Sequence, residues 1–287
     1  MATSVTQYAE NSTWFSSGVG GKTCTVSYSA GDIIVVAGGI EVDIRSFNTP
    51  TATGLTFAQQ SLQDAATGTE AAAGIWTATA AAGGSGVVIT QSITGAGNSG
   101  LAAWVVSGGS TITGIAGSLA NAAFTGVTVG AGDCVIVFLA EFTAVNPPGL
   151  TPGTGSGTAT ERVDIGDGAT YGVWGADWVN TSAGTFSFGA TSYGALNTAQ
   201  VGVIITSAGP STPVLEQTRY RWGLDDGTET GHTFAAAENT AVTLAAGDTR
   251  LLRIQVDETA GVATGLRPVV QWRRSDEPAT EWRTLTT

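Results

Sequence analysis

One seven-residue phrase occurs three times along the chain: Val26-Ser-Tyr-Ser-Ala-Gly-Asp32, Val127-Thr-Val-Gly-Ala-Gly-Asp133 and Val242-Thr-Leu-Ala-Ala-Gly-Asp248. Each copy runs at once into an apolar strand-like segment. The physical content is a strand that alternates, a glycine that permits a tight turn, and an aspartate whose carboxylate accepts the turn amides. A buried strand then follows. A chain punctuated in this way is committed to closely spaced antiparallel strands. We read the phrase as a turn grammar shared along the chain, not as evidence of duplication.

The rest of the first 206 residues fits that grammar. Strands are expected at 23–29, 32–37, 40–46, 55–60, 74–79, 86–93, 101–107, 124–129, 134–143, 171–180, 185–188 and 198–206, separated by Gly-rich turns. Three of them, Ile33–Ala37, Cys134–Ala140 and Val201–Thr206, are continuously apolar or nearly so, which predicts central strands covered on both faces. Only 61–73 offers a short helix. Helix-favouring Lys, Glu, Leu and Met are scarce beside 41 Gly and 44 Thr, so a long helical bundle is excluded. The expected fold is all-β, with residues 1–206 forming a two-sheet jelly-roll-like sandwich.

Composition changes after that point. Residues 207–214, SAGPSTPV, read as a linker. Before residue 214 the chain has three basic residues, Lys22, Arg45 and Arg162, whereas eight Arg lie beyond it. In 215–287 Tyr220, Trp222 and Leu224 alternate with Arg219 and Arg221. Leu252, Ile254 and Val256 likewise alternate with Arg253, Gln255 and Asp257, and Leu266, Pro268, Val270 and Trp272 with Arg267, Gln271 and Arg273. This predicts a small antiparallel Ig-like β-sandwich with Trp222, Trp272 and Trp282 in its core and an edge open to another chain.

Several function classes are excluded or disfavoured. A net charge of −12 opposes tracking along a nucleic-acid backbone. The longest strongly apolar run, Cys134–Ala140, falls far short of the roughly 20 residues of a membrane helix. The first fifteen residues contain no basic residue and no apolar core, so no secretory leader is expected. Cys24 and Cys134 are expected to be reduced and buried. Gly18–Thr23 mimics the end of a phosphate loop, but a strand follows where a helix is required. Gly95–Gly100 matches G-x-G-x-x-G without a βαβ context. Asp164–Gly168 and Asp225–Gly227 lack the spacing of a calcium loop and read as turns. His232 has no nucleophile motif beside it, and Asp164/Asp167 is the kind of carboxylate pair any acidic sandwich presents. No catalytic residue, metal or cofactor is expected.

The aromatic residues of 171–180 allow two readings. Trp174 and Trp178 share one face with only small residues between them, while Tyr171 and Asp177 face the other way. Exposed, the four residues would make a glycan-stacking platform. Buried, the two indoles would fill the space left by small neighbours.

The segments Arg219–Thr230 (RYRWGLDDGTET), Phe234–Thr240 (FAAAENT) and Arg250–Thr259 (RLLRIQVDET) resemble a module of tailed-phage and prophage structural proteins. There the pattern YRWRNDDGSET, AAEN, LRFxVDET recurs. Gly223-Leu224 replaces the Arg-Asn often found in that family, and the chain stops one hairpin later. More weakly, the first module is similar to sandwich domains of phage minor tail, fibre and head-decoration proteins. The resemblance implies a non-enzymatic protein on the exterior of a virion, contacting other capsid or tail proteins. It further implies a homo-oligomer and host surface polysaccharide as a possible contact. The alternative class is a free carbohydrate-binding module. A β-rich exterior composition without an export signal agrees with release by lysis.

Overall fold

The computed structural model describes residues 2–11, 16–17, 21–40, 46–64, 71–94, 98–118, 123–142, 157–166, 171–189, 198–209, 214–224, 233–245, 247–248, 250–260, 271–272 and 283–284. The chain divides into two units, Met1–Gly209 and Pro210–Thr287. All regular structure among the described residues is β.

In the first unit the strands come in two successive sets. The first comprises β1 (Ser4–Glu10), the two-residue β2 (Ser16–Ser17), β3 (Lys22–Tyr28), β4 (Ile33–Ile40), β5 (Ala58–Gln63), β6 (Ala72–Thr79), β7 (Gly84–Gln91) and β8 (Asn98–Ser107). The second comprises β9 (Gly109–Ser118), β10 (Phe124–Val129), β11 (Cys134–Phe142), β12 (Gly157–Gly166), β13 (Tyr171–Asn180), β14 (Gly184–Phe188) and β15 (Thr198–Ser207).

Sheet one has the order β1-β8-β4-β6-β5, with β2 added beside β8, and β3 pairs with β7 as a separate ribbon. Sheet two has the order β9-β15-β11-β13-β12, and β10 pairs with β14. β2 apart, the second set reproduces the first strand for strand. The registers agree as well: Ile33 lies between Thr79 and Val106, and Cys134 lies between Val179 and Ile205. The first unit is therefore built as a tandem repeat, which corrects the reading of the Ala-Gly-Asp phrase as turn grammar alone. Its first two copies occupy equivalent places in the two repeats, whereas the third lies in the second unit.

The turn chemistry itself is as expected. Gly31, Gly132 and Gly247 have φ of 88°, 85° and 90°, the left-handed region that glycine enters at little cost. In each copy the Asp amide donates to the carbonyl three residues back, and the Asp carboxylate accepts that same residue's N–H.

The two sheets pack face to face. Odd positions of β4 (Ile33, Val35, Ala37) and even positions of β8 (Ala102, Trp104, Val106) meet Ile136, Phe138 and Ala140 of β11. Val201, Val203 and Ile205 of β15 join the same buried cluster. Each outer face is covered by its own repeat's ribbon. Ile34, Val36 and Trp76 lie against Cys24, Val26 and Ile89. Val135, Val137, Trp174 and Trp178 lie against Val129 and Phe188. The apolar runs at 33–37 and 134–140 are thus buried on both faces because each sheet is sandwiched between the other sheet and a ribbon. Full burial of each such Val, Ile or Leu contributes about 1.5–3 kcal/mol.

The short helix allowed at 61–73 is not formed at either described end, where Ser61–Gln63 belongs to β5 and Ala72–Ala73 to β6. Along one seam β5 and β9 approach backbone to backbone. Ser61 Oγ donates to the Ile115 carbonyl at 2.6 Å, and a Cβ at Gly114 would collide with the Gln60 carbonyl.

In the second unit β16 (Val214–Leu224) pairs with β17 (Arg250–Ala260), and β18 (Gln271–Trp272) with β19 (Arg283–Thr284). The alternation holds, with Tyr220 opposite Ile254 and Trp222 opposite Leu252. The expected burial does not: Trp222 is half-buried, and Leu252, Ile254 and Val256 are 36%, 40% and 50% exposed. The side chain of Trp272, along with Trp282 and Leu266–Val270, lies outside what the structure describes.

Candidate functional site

Of the two readings of Tyr171, Trp174, Asp177 and Trp178, the exposed glycan platform does not form around the two indoles. β13 is next to the edge in sheet two, and its even positions face the β10–β14 ribbon. Trp174 and Trp178 are both 0% exposed. Trp178 packs edge-on to Phe188 with centroids 5.5 Å apart and lies 6.2 Å from Trp174. The Trp174 Nε1–H donates to Glu161 Oε2 at 2.9 Å. Large rings here compensate for small neighbours such as Ala176, so the core reading of the alternation is correct.

Asp177 projects the other way and is 3% exposed. Arg162 binds it through Nε at 2.5 Å and Nη2 at 3.3 Å, a two-point ion pair that satisfies the carboxylate. The side chain of Tyr171 lies outside the described set. Sequence reasoning missed both partners on β12, Glu161 and Arg162. A register shift between Glu161 and Val163 breaks simple alternation there, which hides the faces these residues occupy.

The other sequence candidates separate similarly. Lys22 opens β3, a strand, where a phosphate loop would require a helix. Asp164 belongs to β12 and not to a turn. Asp167, His232 and Asp225–Gly227 lie outside the described residues. Cys24 and Cys134 are buried free thiols in different clusters. Burial pushes the Cys24 thiol up to about 12 and raises Cys134 further. Among the described residues no three His, Cys, Asp or Glu side chains converge as a metal-holding group.

Two shallow surface cavities stand out among the described residues. One, in the first unit, is lined by Thr6, Gln7, Ser27, Tyr28, Ser29, Asp32 and Ser107. The other, in the second unit, is lined by Arg219, Arg221, Phe234, Glu238 and Arg253. There the Arg221 guanidinium sits 3.7 Å over the Phe234 ring.

The most unusual group was not singled out from the sequence. Glu141, at the end of β11, is 2% exposed, and neither carboxylate oxygen has a hydrogen-bond partner. Burial first, and the charge of Asp164 second, push its pKa up to about 7. Because the folded state holds this proton more tightly than the unfolded chain, the contribution to stability is complete below about 4.5 and is lost as pH rises through about 7. Wild-type Tm should therefore fall relative to Glu141→Gln across that window. Parallel Tm–pH curves for the two proteins would contradict it.

The described parts of the three phrases that resemble the phage module, Arg219–Leu224, Phe234–Thr240 and Arg250–Thr259, are joined by backbone hydrogen bonds. Arg219–Leu224 pairs in register with Arg250–Gln255. The middle phrase is bonded to β16: Ala235 N–H donates to the Trp222 carbonyl at 2.8 Å and Asn239 N–H to the Tyr220 carbonyl at 2.9 Å. Asn239 Oδ1 in turn accepts the Tyr220 N–H at 2.9 Å, from a backbone with φ of 56° that Asn tolerates better than most residues. No family model matches the chain, and neither the curated proteins nor the solved structures include one significantly similar to it.

Proposed function

We propose that this chain is a non-enzymatic structural protein on the exterior of a tailed-phage or phage-like particle, as a head decoration, head fibre or minor tail component. The observation that carries this reading is the joining of the described parts of the three motif phrases into one hydrogen-bonded unit. What resembles the phage module is thus a coherent structural element and not scattered letters. The layered first unit suits a rigid body. Of the buried acids among the described residues, Asp32 and Asp133 are engaged in turns and Asp177 with Arg162, Glu141 being the exception.

Oligomerisation and contact with host polysaccharide belong to the same proposal. Any glycan contact must use surfaces other than Trp174 and Trp178. The test is mass spectrometry and immunogold labelling of particles purified by density gradient from the source strain. The chain should band with particles and be labelled on intact ones. Its absence from every particle band would refute the reading.

A further inference from the structure

We infer that the arginine-lined cavity of the second unit binds an acidic saccharide, its guanidinium groups holding the sugar's carboxylate or phosphate. The pairing of β16 with β17 assembles the cations. Arg221 lies directly opposite Arg253 in the register, and Arg219, opposite Gln255, stands two residues along on the same face. Side chains directly opposite one another start from Cβ atoms about 4.5–5.5 Å apart. All three arginines line one cavity of about 270 Å³.

Like charges facing each other across a ladder cost stability, so packing alone gives no reason to set Arg253 against Arg221. An anion between them reverses the sign of that interaction. Arg221 is already fixed for the purpose: its Nε–H donates to the Ala236 carbonyl at 3.2 Å, and its Cζ sits 3.7 Å over the Phe234 ring. A cation held in place loses little freedom when a ligand arrives. Arg219 meets Glu238 at 3.5 Å, with the two side chains 58% and 49% exposed. Solvent screens such a pair, so an incoming anion can take the place of Glu238.

The lining selects the ligand. Guanidinium forks match the paired oxygens of a carboxylate or phosphate. Acceptors stand beside the cations, the Glu238 carboxylate and the Gln255 amide, and these suit the hydroxyls of a sugar ring. A densely charged strand such as a nucleic acid fits poorly, because the net charge of −12 repels a long polyanion. An acid group carried singly among neutral sugars meets the local cations instead. The choice of a saccharide rests on the proposed exterior role. The anion site does not, and particle banding tests that role separately.

The full chain, with its arginines labelled by nitrogen-15, is titrated with glucuronate, glucose 6-phosphate, acetate and glucose. The two acid sugars should shift the Nε–H signals of Arg219, Arg221 and Arg253 selectively, and glucose should shift none. The tighter of the two identifies the recognised group as carboxylate or phosphate. Hydroxyl contacts should make glucuronate bind about fivefold more tightly than acetate. Arg253→Gln, at an exposed position, should weaken acid-sugar binding roughly tenfold or more. Arg250→Gln makes the same change of charge outside the cavity and should leave affinity unaltered. Equal shifts at every arginine overturn the site, as does undiminished affinity in Arg253→Gln. Glucuronate binding no tighter than acetate overturns the saccharide assignment, and so does tighter binding of a single-stranded oligonucleotide than of either acid sugar.

Discussion

Replacing Asp133 by alanine is expected to destabilise the first unit by about 3 kcal/mol, while the same change at Asp248 should cost under about 1 kcal/mol. Both aspartates end the same phrase. Asp133 is 5% exposed and accepts two backbone N–H groups, from Gly130 at 2.6 Å and from Ser207 at 2.8 Å. It therefore closes its own turn and also ties the end of β15 to it. Alanine would leave both donors unpaired in a water-poor site, and a hydrogen bond to a charged acceptor contributes roughly 1.5–3 kcal/mol.

Asp248 accepts one turn amide at 3.1 Å and the Arg250 guanidinium at 3.3 Å, but its side chain is 33% exposed, so water can replace both. Asp32 should fall near Asp133, since it accepts the Ser29 N–H at 2.8 Å and the Ser107 hydroxyl at 2.6 Å. Urea denaturation followed by tryptophan fluorescence, with each unit's transition fitted separately, measures all three. Equal losses at Asp133 and Asp248 would show that the second acceptor role is unimportant.

Trp178→Ala should cost about 3–5 kcal/mol, the range for deleting a large buried aromatic side chain. The indole is fully buried against Phe188 and Trp174, and the ribbon above it cannot collapse into the void without breaking the β10–β14 ladder. Trp178→Phe should cost much less. It keeps an aromatic ring against Phe188 and removes an N–H that has no acceptor in the core. Retention on a panel of immobilised polysaccharides should not change in Trp178→Phe. A variant of wild-type stability that loses glycan binding would restore the platform reading.

Much of the first unit could be read from residue order, because its central strands carry the hydrophobic load. The expected strands at 124–129 and 171–180 coincide with β10 and β13, and those at 23–29 and 134–143 differ from β3 and β11 by about one residue per end. The strands that were missed are β1, β9 and β12, which all lie at sheet edges, and the two-residue β2, which pairs with β8 outside the main strand order. Their sequences are rich in Ser, Thr and Gly, and in β1 and β9 the side chains are half-buried or exposed. Hydrophobic periodicity is faint at such positions. β5, another edge strand, was expected three residues too early.

The tandem repeat was hidden for a related reason. Backbone pairing and turn chemistry are shared between the copies, whereas side chains such as Trp76 and Ala176 differ at equivalent places. Glu141 escaped notice because a single acid closing an apolar run looks like an ordinary strand terminus. Only the register over Gly172 reveals that it is enclosed. The fate of Trp174 and Trp178 depended on whether the β10–β14 ribbon covers their face, which alternation within one strand does not encode.

The link between the repeats is the single residue Gly108, with φ of 78°. Two repeats packed through their sheets and joined by one residue amount to a covalently tethered dimer. Association becomes intramolecular, and its strength no longer depends on protein concentration. A pair of identical chains would display every substitution twice, once on each side of the axis. In the tethered form a residue such as Glu141 occurs on one side only, while Ile40 holds the equivalent place on the other. Joining the halves therefore releases the molecule from symmetry, and one copy can acquire chemistry while the other keeps the core.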